Sequence, residues 1–260
     1  MTPDHLLEQA MWDTFWMPPQ TTVVDRPPLR YTTHPHDIPI LNVLLRIRAQ
    51  PSDLPALVQE VRHAHRGRRS RVMVNPQNRH PALHDALHHG QYAPIGEYDA
   101  HVLSTDHPRA PIRDGLQICR VETREHLRTA NNVSNLAFDR SETLSEDEEQ
   151  SHLAGCQDPA GRVHRFVIHA ADGTPLTAGG LTLFPHLRFG FLWGGGTIPS
   201  GRGQGAYSAL VTCRLRCARQ HNIDIVGLYA DVNTSAPIVS AQGFSQHGRM
   251  TYWQAPAAST

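Results

Sequence analysis

A glycine-rich segment, Gly194-Gly-Gly-Thr-Ile-Pro-Ser-Gly-Arg-Gly-Gln-Gly-Ala-Tyr207, is the part of the sequence best suited to bind a charged ligand. An apolar run from Phe189 to Trp193 precedes it and an amphipathic run from Ala206 to Gln220 follows it, which predicts a strand, a turn and a helix. The start of a helix presents backbone N–H groups at the positive end of its dipole, so such a turn is a ready site for phosphate. Glycine is needed there because a side chain would block the anion.

The residue pattern narrows the kind of phosphate ligand. The segment lacks the Lys-Ser/Thr ending of a nucleotide-binding loop and the G-x-G-x-x-G spacing of a dinucleotide fold. It carries instead Arg202-Gly-Gln-Gly205-Ala-Tyr207, preceded by Ile198-Pro199. This pattern resembles the acyl-CoA loop of the GNAT N-acyltransferase superfamily, in which Arg202 and Gly205 match and Tyr207 replaces a small residue.

The resemblance implies a role for each part of the segment. The N–H groups around residues 203–207 would hold the pyrophosphate of acetyl-CoA or another acyl-CoA, and backbone near Thr197 would pair with the pantetheine arm and polarise the thioester carbonyl. Asn233 would touch pantetheine from the next strand, with a plain helix N-terminal role as the alternative. The resulting cofactor-binding set, which includes no metal, is Thr197, Ile198, Arg202, Gly203, Gln204, Gly205, Ala206, Tyr207 and Asn233.

The usual acid and base of the superfamily are both missing at their matching positions. Many members use a Glu on the fourth strand as base, but residues 189–198 contain no carboxylate. Many use a Tyr four residues before a Gly-Phe pair as acid, and Val239 occupies that position. The protein therefore relies on positioning and a water chain, recruits another group, or binds acyl-CoA without turnover. By strand placement the candidates are Asp231 and Tyr229 as catalytic residues, with His186 and His164 also near, although each has a structural alternative.

The elements around the segment follow the order of the GNAT fold. After a linker rich in Pro and charge at residues 105–115, the patterns predict β-α-α-β-β-β-loop-α-β-α-β over residues 116–254. Ser145 and Glu148 form a predicted capping box. We therefore expect an α/β domain with a mixed, mostly antiparallel sheet of the acyl-CoA N-acyltransferase type, flanked by helices.

The N-terminal part predicts a smaller α/β module over residues 26–108. Its β-α-β-α-β order, with a first strand over Ile40–Ile47, repeats the second half of the C-terminal domain. Pro51 stands where a loop would need N–H donors, so we interpret it as a degenerate half GNAT-like module, as in tandem GNAT proteins. An unrelated small α/β cap is the alternative. Residues 1–25 are expected to form a helical arm that packs on the body or makes a dimer contact.

Composition limits the other possibilities. The 260 residues are 39% hydrophobic, which is enough for one large domain or two small ones. The formal net charge of zero disfavours a nucleic-acid partner. The four cysteines form neither a disulfide framework nor a C-x-x-C metal pattern. His84 and His88 are spaced for a metal on a helix, but a solvated His-rich face is favoured. The absence of a signal sequence and of a long apolar run predicts a cytoplasmic protein without membrane contact.

Two functions follow from the resemblance. The first is an acyl-CoA-dependent N-acyltransferase that acts on a small primary amine by direct transfer, as a monomer or homodimer. The second is a non-catalytic acyl-CoA-binding sensor or scaffold, which the missing Glu and Tyr favour. A protein-modifying enzyme is a weaker third hypothesis, because the acidic run from Glu142 to Glu149 is better explained as a solvated helix start.

Overall fold

The computed structural model describes residues 2–158 and 161–257 of the chain. The helices are α1 (Pro3–Trp12), α2 (Leu54–Ala64), α3 (Pro81–His89), α4 (Arg124–Phe138), α5 (Glu146–Gln157), α6 (Ala206–Gln220) and α7 (Ser235–Ala241). The strands are β1 (Thr22–Arg26), β2 (Leu29–Thr33), β3 (Val43–Ile47), β4 (Ser70–Val74), β5 (Ala93–Ser104), β6 (Gln117–Arg120), β7 (Val163–His169), β8 (Pro175–Phe184), β9 (Phe189–Thr197), β10 (Ile225–Asp231) and β11 (Ser245–Ala255).

The predicted element order after residue 116 is confirmed from β6 to β11. Local side-chain chemistry explains where its first two helices begin. The Thr123 side chain accepts the N–H of His126 at 3.1 Å, which caps α4. Ser145 and Glu148 form the predicted capping box of α5.

The chain divides into two compact units that are discontinuous in sequence. The first contains the residues up to 101, Tyr229–Ser240 and the residues from 246 onward, and the second contains Val102–Leu228 and Ala241–Ser245. β5 and β10 therefore each contribute residues to both units. The assignment of residues 1–25, 26–108 and 116–254 to an arm, a half module and a complete domain stays a prediction.

The first unit has the strand order β1-β2-β3-β4-β11-β5. β3 and β4 are parallel, and the pairs β1–β2, β2–β3 and β4–β11 are antiparallel. The apolar faces of α2 and α3 meet this sheet in one core, in which Val58, Leu83 and Val72 are at most 1% exposed. The predicted β-α-β-α-β order of this region is present as β3-α2-β4-α3-β5.

Two details of the N-terminal prediction were wrong. The arm is helical only as far as Trp12, and an unexpected hairpin of β1 and β2 follows it. β1 is largely exposed, so its sequence has no apolar face for a periodicity argument to find. The strand predicted from Ile40 begins only at Val43, because the Asn42 side chain accepts the N–H of His34 and donates to the His36 carbonyl, which folds these residues into a turn.

A buried histidine makes the stability of the first unit depend on pH. His65 is fully buried, its Nε2 donates to the Thr32 carbonyl at 2.8 Å, and its Nδ1 lies 2.6 Å from the Ser70 hydroxyl. Burial lowers the pKa of His65 from 6.5 to about 4. The neutral ring therefore stabilises the fold fully above pH 6.5, and this contribution is lost as the pH falls from 6.5 through 4.

We expect His65→Gln to remove part of the acid sensitivity. Between pH 7 and 4.5 the free energy of unfolding of the parent should fall by about 2–3 kcal/mol more than that of the variant. Urea denaturation at both pH values measures this difference. His63→Gln is the matched control, since His63 is exposed in the last turn of α2, two residues before His65. Equal pH dependence in the parent and in His65→Gln would refute the prediction.

The second unit has the strand order β10-β9-β8-β7-β6, antiparallel except for the parallel pair β9–β10. α4 and α6 pack on opposite faces of it. A Cβ placed on Gly195 of β9 would meet side chains of α6, and one on Gly196 would meet Ala137 and Phe138 of α4. Among the described residues, no helix combines the length and apolarity that crossing a membrane requires.

Candidate functional site

The glycine-rich segment forms the predicted strand–turn–helix in the second unit. β9 ends at Thr197, a single 3-10 turn spans Pro199–Gly201, and α6 begins at Ala206. Gly203 and Gly205 have φ angles of +75° and +80°, a region that other residues rarely adopt, so these two glycines set the path of the turn. Gly205 is the N-cap of α6 and has no side chain to satisfy the first turn.

A row of backbone donors is open at this turn. The first hydrogen bond of α6 joins the Ala209 N–H to the Gly205 carbonyl at 3.0 Å. The N–H groups of residues 203–208 have no hydrogen-bond acceptor in the part of the chain that the structure describes. Residues 202–205 are exposed, so a ligand can reach these donors. Free N–H groups at a helix N-terminus form an anion site.

Two arginines add positive charge to the row. Arg202 is exposed on the turn, and the Cδ of Arg113 lies 3.9 Å from the position that a Cβ on Gly205 would take. Within residues 2–158 and 161–257, neither guanidinium has an ion-pair partner. By contrast, Arg109 is engaged, since it donates to the Ser208 hydroxyl at 2.9 Å and to the Gln242 carbonyl at 2.6 Å. Both unengaged charges are available to an anion.

The remaining members of the predicted set shape the turn. The Gln204 side chain donates to the Ser200 carbonyl at 2.8 Å. Ile198 donates its N–H to the Leu176 carbonyl and accepts the N–H of Gly201, so both of its backbone groups are engaged within the protein. The half-buried ring of Tyr207 lies against Gly195, 3.2 Å from the position of a Cβ there. Their roles as cofactor contacts stay predictions.

β9 is irregular just before the turn. Its register against β8 shifts where Ala178 faces Gly196 and Gly180 faces Trp193, which leaves one extra residue on β9 and defines a β-bulge. Its parallel pairing with β10 is described only over Phe189–Phe191. Residues 192–197 thus have a ladder on one side and a kinked backbone, a feature that the three consecutive glycines could have signalled.

The catalytic candidates have structural contacts of their own in the first unit. The Asp231 carboxylate accepts the N–H groups of Asn233 and Thr234 at 2.8 and 3.1 Å, which caps the turn before α7. Tyr229 packs with the buried Met73 and Met250, and burial raises the pKa of its phenol above the ordinary value. Asn233 is exposed. These three residues belong to the first unit and the glycine-rich turn to the second.

The positions that usually hold the acid and base offer no proton-transfer group. β9 carries no carboxylate, and Val239 is 1% exposed in an apolar setting. His164 is buried on β7, and burial lowers its pKa to about 4, so it is neutral at physiological pH. His186 lies in the 3-10 turn Pro185–Leu187. His84 and His88, the spaced histidines of α3, pack against Trp253, the first with a tilted ring and the second edge-on.

Sequence analysis missed a buried arginine behind the bulge. Arg214 of α6 is 1% exposed, and it donates to the Leu210 and Gly180 carbonyls, both at 3.3 Å. Its Nη2 has no hydrogen-bond partner in the described residues and lies 3.4 Å from the position of a Cβ on Gly195. Its four-residue spacing from Leu210, another buried residue of α6, could have placed it on the core face.

A second missed group lies on the α4 face of the sheet. Arg165 donates to the Asn131 side chain at 2.9 Å, and its guanidinium lies 5.5 Å from the centre of the Trp193 ring. The Trp193 indole N–H donates to Thr182 at 2.9 Å. The indole of Trp193 is fixed by these contacts and by Gly180, where a Cβ would overlap the ring.

We expect Gly180→Ala to destabilise the protein by about 1–3 kcal/mol, because the added methyl group displaces the anchored indole of Trp193. Gly155→Ala is the matched control, since Gly155 lies within α5 and a Cβ there meets no atom within 4 Å. The control should gain about 0.5–1 kcal/mol from helix propensity. Chemical denaturation of both variants measures the effects, and equal stabilities would contradict the packing described for Trp193.

Comparison with known proteins identifies the fold. No protein-family model matches the sequence, and no curated protein matches it. A GCN5-related N-acetyltransferase from Kribbella flavida superposes on 98% of this chain and 96% of its own with 15% identity and a TM-score of 0.71. One from Sphaerobacter thermophilus covers 92% of this chain and 76% of its own, with 14% identity and a TM-score of 0.65.

A two-module protein gives the third similarity. A tandem GNAT protein from the clavulanic acid biosynthesis pathway covers 98% of this chain and 88% of its own, with 15% identity and a TM-score of 0.62. At these identities the likeness concerns the fold. The chain has a GNAT fold over nearly its whole length, with a mixed, mostly antiparallel sheet flanked by helices and with an N-terminal α/β part.

Proposed function

We propose that this protein is an acetyl-CoA-dependent N-acyltransferase that acts on a small primary amine by direct transfer. The observation that carries the proposal is the row of unengaged backbone N–H groups at residues 203–208, which starts in the exposed part of the turn and is flanked by Arg202 and Arg113. These N–H groups can donate hydrogen bonds to a pyrophosphate, a group that acyl-CoA has and a simple thioester lacks. The likeness of the fold to GCN5-related N-acetyltransferases supports an acyl-CoA as the ligand.

The chemistry assigns separate tasks to separate parts of the chain. The turn would hold the pyrophosphate, and an N–H near the bulge of β9 would polarise the thioester carbonyl. The amine nitrogen would attack that carbonyl, the C–S bond would break, and CoA would leave as a thiolate that takes up a proton. Asp231 and Tyr229 stay the candidates for removing the amine proton, with a water chain as the alternative.

A non-catalytic acyl-CoA-binding sensor or scaffold is the second candidate function. It is favoured by the absence of a carboxylate on β9 and by the apolar burial of Val239. Both functions require the same anion site, and they differ in whether CoA is released. As partners we propose a small amine and, for the chain itself, a monomeric or homodimeric state.

The release of free CoA from acetyl-CoA in the presence of a panel of amines tests the choice. A thiol-reactive dye reports the product, and reactions without amine give the hydrolysis background. Amine-dependent release supports the transferase. Binding of acetyl-CoA without amine-dependent release supports the sensor, and failure to bind acetyl-CoA excludes both functions. Arg202→Glu should lower any release at acetyl-CoA concentrations that do not saturate the variant.

A further inference from the structure

Three potential metal ligands come together at the far end of α6 from the glycine-rich turn. Cys217 and His221 lie one helical turn apart at the C-terminal end of α6, and His164 lies on β7. Each offers one donor atom, and these atoms all lie within 4.8 Å of one another. The rings of His164 and His221 have centroids 4.9 Å apart, and the Cys217 Sγ lies 4.0 Å from the His221 Nδ1.

The burial of His164 needs an explanation that the protein itself does not supply. Its side chain is 2% exposed, and neither ring nitrogen has a hydrogen-bond partner in the part of the chain that the structure describes. A buried polar atom without a partner costs free energy, so such groups are normally hydrogen-bonded or bound to an ion. An ion held between His164, Cys217 and His221 would supply the missing partner of His164.

The electrostatic setting favours a cation. The C-terminal end of a helix carries partial negative charge, and Cys217 and His221 lie in and just after the last turn of α6. His221 is exposed, which gives an ion access from solvent, whereas His164 and Cys217 are buried. Burial raises the pKa of the Cys217 thiol, an effect that the charge of Arg120 partly offsets. The same charge acts on His164 and opposes a bound cation.

We propose that His164, Cys217 and His221 bind a borderline-soft divalent cation of the zinc class. Two imidazoles and a thiolate are the donor set that zinc prefers, and a solvent molecule would complete a tetrahedron. The thiol releases its proton to solvent as the Zn–S bond forms. Donors in such a site are about 3.3–3.7 Å apart, so the trio must close by about 1 Å. The Nδ1 of the exposed His221 donates to the Cys217 carbonyl at 2.8 Å, so the ring must turn from this contact or ligate through Nε2.

The bound ion would tie the end of α6 to β7. It would hold in place the helix whose other end carries the glycine-rich turn, whatever that turn binds. This inference departs from the expectation, based on the sequence, that the chain binds no metal. Cys217 and His221 have the four-residue spacing of one helix face, but His164 lies far from them in the sequence, so only the fold brings it to the pair.

Cobalt titration of the tag-free, chelator-treated protein tests the proposal. We expect one equivalent to bind with the intense visible bands of tetrahedral cobalt and a near-ultraviolet thiolate-to-cobalt band, and zinc to displace it. Cys217→Ser should lose the thiolate band, and His221→Ala should weaken binding at least tenfold. Cys213→Ser is the matched control, because Cys213 lies one turn earlier on the same helix and is similarly buried.

The melting temperature supplies a second measurement. Zinc at a hundredfold excess over its dissociation constant should raise the melting temperature of the parent and of Cys213→Ser by about 5–10 °C, but not that of Cys217→Ser. All variants should melt like the parent without metal, which shows that they fold. The proposal would be overturned by cobalt binding without a thiolate band, by unchanged binding in Cys217→Ser or His221→Ala, or by no binding. In the first two cases other histidines would account for the metal taken up.

Discussion

Arg202→Glu is expected to weaken acetyl-CoA binding about 100-fold. A hydrogen bond from a charged group contributes about 1.5–3 kcal/mol, and a carboxylate in its place adds repulsion of the pyrophosphate. Arg202 is exposed and has no ion-pair partner in the described chain, so its replacement should leave the fold intact. Calorimetric titration of the parent and the variant with acetyl-CoA measures the two dissociation constants.

Arg216→Glu provides the control for this substitution. Arg216 is exposed on α6, beyond the first turn of that helix, and its replacement changes the net charge of the protein by the same amount. The control should change the dissociation constant less than threefold, and less again at higher salt, because screened charges beyond the contact act weakly. Equal weakening by both substitutions would show a general effect of charge and would contradict a pyrophosphate contact at Arg202.

Arg214→Ala is expected to destabilise the protein by about 3–5 kcal/mol. Truncation of this fully buried side chain leaves a large cavity between α6 and the strands β8 and β9, and it removes the donor to the Gly180 carbonyl. Urea denaturation of the parent and the variant measures the difference in the free energy of unfolding. A loss below about 1 kcal/mol would contradict the packing described for Arg214.

Arg214→Met separates the volume of this side chain from its charge. Methionine fills a similar space without a cation, and the Nη2 of Arg214 has no acceptor in the described residues. The variant avoids the free-energy cost of desolvating a buried cation. We therefore expect the free energy of unfolding of Arg214→Met to stay within about 1.5 kcal/mol of that of the parent. A loss as large as that of Arg214→Ala would mean that the two hydrogen bonds to carbonyls outweigh the cost of burying the charge.

The glycine-rich turn could be predicted because the residues that define it are consecutive in the sequence. Gly203 and Gly205 are required by the backbone angles, and the apolar run before them and the amphipathic run after them fix a strand and a helix. The helices α4 and α5 were equally accessible, since Thr123 and Ser145 cap them locally. Patterns of short range therefore predicted most of the element order.

Features that depend on tertiary contacts could not be found in this way. The exposed strand β1 has no apolar face, so the hairpin it forms with β2 leaves little periodicity in the sequence. The trio of His164, Cys217 and His221 exists only because β7 and α6 pack together. The contact of the Asp231 carboxylate with the turn before α7 was not predicted either, and a catalytic role for Asp231 stays a prediction.

Amide NMR of the glycine-rich turn tests the central claim most directly. In the isotope-labelled protein, we predict that acetyl-CoA shifts the amide resonances of residues 203–208 downfield more than any others, because these N–H groups would donate to the pyrophosphate. Pantetheine, which has no pyrophosphate, should leave them unshifted. Binding of acetyl-CoA without shifts at residues 203–208, or no binding at all, would contradict the claim that this turn is an acyl-CoA site.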